Sequence, residues 1–451
     1  MICSSSGVPA SYGQLLRAHR KKRGLSLTQL AARVHFDPGH ISKVETGKRS
    51  PSVSFAKACD RVLNVGNTFT AIASALEATA HRQQNWLRPA QLPAAKRHFV
   101  GRHGDLRRLD GLLRGHDQGL AVPVTVINGP PGVGKTALAV QWAHRAVNDG
   151  HFPDGQLFVN LQGPEPGTAA APIDVLAGLL RAVGVPPDRI PAELDQRAAT
   201  FRSYLHSRKM LLILDNAADA QQIRPLLPGA PGCAVVVTSR SRLPGLTVLV
   251  DAVSLLLSEL RRPEAARLIG AIIGRARADA NPGAVAVLAE RCGRLPLALV
   301  LAAERIVSRQ HNSAEPLAAE LRTRRARLDL AEGDVALRDA FESSYKALDE
   351  QSARVFRGLG LLPGRLIDVV STASVVGVPP EEASLSLCNL AAAHLVQRHG
   401  ESHYRMHDLL RAYAADLAGH LTDGSGHAMV KAPVTGLTPT PAPLAAAPLV
   451  V

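Results

Sequence analysis

The run Gly129-Pro130-Pro131-Gly132-Val133-Gly134-Lys135-Thr136 constrains this chain more than any other feature. It fits the spacing G-x-x-x-x-G-K-S/T. A short apolar run, VTVIN (124–128), precedes it and a helical run, ALAVQWAHRAV, follows. Glycines let successive backbone N–H groups turn inward as an anion nest, and the next helix points its N-terminus at the same spot. A strand, loop and helix in that order cradle phosphates. Gly129, Gly132, Val133, Gly134 and Ala137 are expected around the phosphates, Lys135 on the β and γ groups, and Thr136 on Mg2+.

The surrounding pattern agrees with such a cradle. LFVNL (157–161), LLILD (211–215) and AVVVTS (234–239) are further short apolar runs separated by helical stretches. That alternation argues for a parallel sheet covered on both faces by helices. A second acidic part is needed for the metal, and Asp215 supplies it at the end of a fully apolar strand. The next residue is Asn216. Asn can position a water but cannot take its proton, so Lys135, Asp215 and Asn216 form a catalytic set that predicts slow hydrolysis.

Order and spacing along residues 98–420 then resemble the NB-ARC family of STAND nucleotide switches. Phe99-Val100-Gly101-Arg102 resembles the segment that packs beside the adenine, which implies nucleotide contacts from Val100 and Arg102. Thr238-Ser239-Arg240 resembles the family's sensor, and implies that Arg240 reads the γ-phosphate. Gly293-Arg294-Leu295-Pro296 resembles the G-x-P motif, with Pro296 on the adenine side. Met406-His407-Asp408 resembles the MHD motif, which implies that His407 touches the β-phosphate of ADP and locks a closed state. ATP or ADP with Mg2+ are the cofactors so implied.

The N-terminal region has a different character. Residues 1–100 carry 15 Lys and Arg against 4 Asp and Glu, a net +11 out of +14 for the whole chain. Leu15 and Leu16 precede the basic run Arg20 to Arg23, and Gly24 closes that helix. Ser26 can cap a second helix with apolar positions at Leu27, Leu30, Ala31 and Val34, while Asp37 and Pro38 suit the start of a third. These residues, with Ile41-Ser42 and Glu45-Thr46-Gly47-Lys48-Arg49, resemble XRE/Cro-type helix-turn-helix domains. The resemblance implies that a helix at about 38–46 enters the major groove. His40, Ser42 and Lys43 are expected at base edges, and Lys48, Arg49 and some of Arg20 to Arg23 at phosphates. About six neutralised phosphates would give a salt slope near −5.

Composition closes off other classes. No apolar run approaches the ~18 residues of a membrane span, and MICSSSGVPASYGQ lacks the order of a signal peptide. The five cysteines, Cys3, Cys59, Cys233, Cys292 and Cys388, fit neither a disulfide framework nor zinc spacing. A cytoplasmic location and no membrane partner are expected.

The expected architecture is multidomain. An all-α helix-turn-helix domain (1–76) and a linker (77–97) precede an α/β P-loop parallel sheet (98–260). A helical ARC domain (261–335), a winged-helix domain (336–420) and a Pro/Ala-rich disordered tail (421–451) follow. The expected function is a regulator that binds double-stranded DNA, switched off by ADP and on by ATP, with nucleotide-dependent homo-oligomers. Two alternatives share these motifs: an AAA+-like ATPase acting on DNA or protein, and a STAND signalling or defence scaffold whose N-terminal domain binds protein.

Overall fold

A computed structural model describes residues 12–74, 88–114, 121–163, 169–311, 313–333, 335–364 and 366–424. They form two compact units: an N-terminal one up to Arg88, joined by residues 182–186, and one holding the remainder. No helix among the described residues is long and apolar enough to cross a membrane.

Among the described residues, the N-terminal unit contains four short helices, α1 (Tyr12–Lys22), α2 (Leu27–Val34), α3 (Pro38–Glu45) and α4 (Val53–Leu63), and a helical stretch at 68–74. The starts of α2 and α3 have local causes. Ser26 Oγ accepts from Gln29 N–H at 3.1 Å while Gln29 Oε1 accepts from Ser26 N–H at 2.9 Å, a reciprocal cap on α2. Asp37 Oδ1 accepts from the N–H groups of Gly39 and His40 at 2.7 and 3.1 Å, and Pro38 opens α3. Leu16, Leu30, Ile41, Phe55, Leu63 and Phe69 fill the interior. Gly13 is required by packing, since a Cβ there would stand 2.4 Å from the Glu45 carbonyl oxygen.

The second unit centres on a five-stranded parallel sheet. Its strands are β1 (Val124–Asn128), β2 (Gly155–Asn160), β3 (Met210–Ala217), β4 (Ala234–Ser239) and β5 (Val253–Leu256), in the order β2-β3-β4-β1-β5. β1, β3 and β4 are buried almost throughout, which is why they read as unbroken apolar runs. β5 is an edge strand with exposed Val253 and Leu256, and its mixed pattern VSLL hid it among the helical stretches. The phosphate-loop strand β1 lies between β4 and β5; the connection leaving β1 runs toward the β2 edge, and the one leaving its neighbour β4 runs the opposite way to β5, so the switch point falls between β1 and β4. Ligands gather at that crevice in open α/β sheets.

Part of the expected linker belongs to this sheet. Ala90 pairs with Gln156, the Pro89 carbonyl accepts from Gln156 N–H at 2.7 Å, and Gln91 N–H donates to the Gln156 carbonyl at 3.1 Å. Pro89 and Pro93 made the stretch look unstructured, but an edge strip tolerates proline. Residues 77–87 of that linker lie outside the described residues.

Beyond the sheet come the helices Arg262–Ile273, Pro282–Arg291 and Pro296–Ser308, then Leu337–Lys346, Glu350–Leu359, Val369–Val376 and Pro380–Ala392. A three-stranded antiparallel sheet, ordered Leu366–Asp368, His403–Arg405, Gln397–His399, precedes the last helix, Asp408–Gly424. One apolar cluster runs from Ile127 and Val236 through Leu299 and Phe356 to Tyr413. The expected tail starts too early, because the last helix carries on to Gly424, continuing the apolar spacing of Tyr413 and Leu417. Residues 425–451 lie outside the described residues.

Candidate functional site

The loop after β1 bends through Gly132 (φ 75°) and Gly134 (φ 94°), left-handed values that favour glycine. The helix Lys135–Asn148 starts at Gly134 with no side-chain cap, so its first N–H groups stay available to an anion. Lys135 is buried and its Nζ donates to the carbonyls of Gly129 and Pro130 at 2.9 and 3.0 Å. Burial, and next the Arg240 charge, push its ammonium down to about 7, while Asp215 acts the other way.

Thr136 Oγ1 donates to Asp215 Oδ1 at 2.7 Å, and Thr238 Oγ1 donates to the same oxygen at 2.5 Å. This pairs the two expected metal residues across 79 positions of sequence. Among the described residues no three His, Cys, Asp or Glu side chains converge. A cation here would therefore draw on Thr136, Asp215, water and phosphate oxygens, a donor set that fits Mg2+. Asn216 takes a left-handed φ of 55°, and its backbone N–H donates to Thr238 Oγ1 at 3.0 Å. Its Nδ2 donates to Asn160 Oδ1 at 3.2 Å and Asp215 Oδ2 at 3.3 Å.

Lys135, Thr136 and Asn216 border a cavity of about 690 Å3, within the range of small-ligand sites. Gly132 to Ala137, Asn216 and Arg240 line its polar side. Phe99, Val100, Leu268, Ile272, Pro296 and Val300 line an apolar side. Arg102 is buried, donates to the Val133 carbonyl at 3.0 Å and pairs with Asp105 at 3.6 Å. Leu297 N–H donates to the Gly132 carbonyl at 3.1 Å, so the Pro296 helix braces the phosphate loop directly. Leu268, Ile272 and Val300 escaped the sequence reading because an apolar position on a helix looks the same whether it faces a core or a cavity.

One expected contact stands elsewhere, and another is shared with a second element. His407 does not line the cavity. Its Nε2–H donates to the Gly293 carbonyl at 2.8 Å and its Nδ1 accepts from Leu409 N–H at 3.2 Å. Both ring nitrogens are thus spent, and burial holds its pKa below the usual imidazole value. A Cβ on Gly293 would fall 2.1 Å from the His407 ring, so glycine there makes the seat. Arg240 lines the cavity but also donates from Nη1 to the Ala340 carbonyl (3.1 Å), Ser343 Oγ (3.1 Å) and Ser344 Oγ (2.7 Å).

On α3, Lys43 is exposed and Ser42 half-buried; Lys48 and Arg49 are exposed just beyond the helix. His40 departs from the expectation of a base-edge residue. Its ring packs on Phe36 and Phe55 at centroid distances of 5.4 and 5.2 Å, and its Nε2 is buried without a partner among the described residues. Arg20 is likewise turned inward. It is buried, donates to Glu45 at 2.6 and 2.9 Å and to the Leu25 carbonyl at 2.9 Å, and so ties α1 to α3 instead of meeting phosphate.

Residues 11–71 match the family of helix-turn-helix domains, and residues 122–227 match the AAA domain family. The chain thus joins a helix-turn-helix domain to an AAA-type ATPase domain, a type that implies nucleotide binding. It is similar to two curated proteins called regulatory protein AfsR. One, from Streptomyces griseus, is 43% identical over 331 residues, 73% of this chain and 33% of that protein. The other, from Streptomyces coelicolor, is 40% identical over 365 residues, 79% of this chain and 36% of that protein. The chain spans about a third of the length of these relatives. Among solved structures, the Walker-type ATPase PABY2304 of Pyrococcus abyssi shares the fold, with TM-score 0.50 and 13% identity over 73% of this chain and 99% of that one.

Proposed function

We propose that this chain is a nucleotide-switched transcriptional regulator of the STAND/NB-ARC type with an XRE-type DNA-binding domain. ATP or ADP with Mg2+ occupies the cavity after β1, with Lys135 on the phosphates and Thr136 and Asp215 on the metal. The single observation that carries this reading is one cavity wall, in which Lys135 and Arg240 stand together and Arg240 also reaches the helix Leu337–Lys346. A phosphate there acts on both the loop and the C-terminal helices.

The small antiparallel sheet with its flanking helices (336–420) serves as the winged-helix domain of that switch, and residues 261–335 as the helical spacer. With ADP, His407 holds this domain closed through Gly293, three residues before the cavity residue Pro296. With ATP the chain opens and self-associates, and helix-turn-helix units meet half-sites about one DNA turn (~34 Å) apart. Ser42 and Lys43 contact bases, and Lys48 and Arg49 contact phosphates. A weak single unit becomes a tight array by avidity. Asn216 keeps hydrolysis slow, since its amide cannot accept the proton of an attacking water.

Nucleotide released from the purified, denatured protein tests the reading. About one ADP per chain is expected, and none from Lys135→Ala. His407→Ala should raise duplex binding in the absence of ATP; lowered binding sinks the locking role. An empty site with DNA-stimulated turnover well above about one per second favours a motor-type ATPase instead.

A further inference from the structure

Arg240 follows directly on β4, and its side chain faces two environments. One is the cavity it lines with Lys135 and Thr136. The other is the helix Leu337–Lys346, a hundred residues further along the chain, where Nη1 meets the Ala340 carbonyl at 3.1 Å, Ser343 Oγ at 3.1 Å and Ser344 Oγ at 2.7 Å. Ser344 is buried, so its hydroxyl is set by the packing around it. All three acceptors are neutral dipoles. Anionic phosphate oxygens add direct charge attraction to such bonds and can accept two parallel N–H groups of a guanidinium, which neutral hydroxyls and a carbonyl do not.

The helix that holds Arg240 is itself fixed to the end of the chain. Arg338 Nη1 donates to Asp416 Oδ2 at 2.7 Å, and the Phe341 and Tyr413 rings stand 5.9 Å apart. Whatever moves this helix therefore moves the helix Asp408–Gly424 with it. A guanidinium bound to three acceptors on one side has fewer donors to turn toward a ligand on the other. A diphosphate seated on Lys135 can leave Arg240 where it is. A third phosphate brings a further anionic group into the same cavity and competes for the arginine.

We propose that Ser343 and Ser344, with the Ala340 carbonyl, hold Arg240 off the terminal phosphate and thereby set the chain's preference for a nucleoside diphosphate over a triphosphate. The proposal rests on the nucleotide reading above and names the residues that decide between its two ligands. Because binding energies are linked, a triphosphate that captures Arg240 must loosen the helix Leu337–Lys346 by the same factor that the serines disfavour it.

The test uses the full chain, stripped of nucleotide, with a fluorescent ADP analogue displaced by ADP or by ATP in the presence of Mg2+. Ser343→Ala/Ser344→Ala should raise the ATP-to-ADP affinity ratio about tenfold, within the range of ordinary coupling energies. Ser344→Asp should lower that ratio, because a carboxylate holds the guanidinium more firmly than a hydroxyl. A ratio within about twofold of the parent protein in both variants overturns the latch; where Lys135→Ala still abolishes binding, the nucleotide site survives that failure. Analogue binding that persists undiminished in Lys135→Ala overturns the nucleotide site and the latch together.

Discussion

The helix-turn-helix unit and the phosphate-loop unit spend their polar residues in opposite ways. In the first, polar groups close on one another. Arg20 pairs with Glu45, and Asp60 accepts from Phe69 N–H at 2.9 Å and from Thr70 N–H and Oγ1 at 2.8 and 2.6 Å. What is left outside is a set of solvated cations. In the second, Lys135, Thr136, Asp215, Asn216 and Arg240 converge inward on the end of the sheet. The same kind of charged signature can thus mark a strut or a binding site. Only the direction of the side chain tells which.

The largest expected effect tests the strut. Arg20 and Glu45 side chains are 10% and 6% exposed, so Glu45→Ala leaves an uncompensated buried guanidinium and should cost about 3–5 kcal/mol. The readout is the urea midpoint of the N-terminal unit in the full chain. A cost below about 1 kcal/mol would make the pair incidental and erase the contrast.

A smaller effect comes from acid in the second unit. His394 is buried, and its Nε2 has no partner among the described residues. Burial first, then the charges of Arg242 and Lys135, push its pKa down to about 4. The unfolded chain takes up a proton near the ordinary ~6.5, so the folded form is favoured fully above that value. The contribution is lost as pH falls from about 6.5 toward 4, by about 3 kcal/mol in all. Unfolding at pH 7 and pH 4.5 should show a steeper loss for the parent protein than for His394→Gln. Equal losses would refute the burial argument.

The smallest effect separates two residues on adjacent stretches of the segment that the proposed function sets against DNA. Lys48→Ala should reduce the salt slope of duplex binding by about one, uniformly across sequences. His40→Ala should leave that slope alone and cost stability instead, about 1 kcal/mol for lost ring contacts with Phe36 and Phe55. A specificity change from His40→Ala would return the residue to the base edge.

What could be read in advance follows the range of each cause. The phosphate loop is legible because its spacing encodes backbone shape within eight residues. The caps at Ser26 and Asp37 are legible for the same reason. β3 and β4 are legible because full burial forces unbroken apolar runs. The failures have longer reach. His40 sits beside Ile41 on a helix of eight residues, too short for periodicity to say which face its ring would take. The partners of Arg240 and His407 lie 100 and 114 positions away, a distance no local pattern records. β5 is half-exposed, so it lacks the apolar signature of its neighbours.

The strip at Pro89 to Gln91 bears on how this protein can be cut. It runs along β2, the outermost strand on its side of the sheet, and Gly155 has no Cβ because Pro89 O stands 2.5 Å from where one would be. A truncation that begins near residue 98 would strip that cover away. The bare N–H and C=O groups of β2 would then offer a template for a strand from another molecule. Stickiness in such a shortened protein would report an exposed seam, and a cut before Arg88 would keep the seam closed.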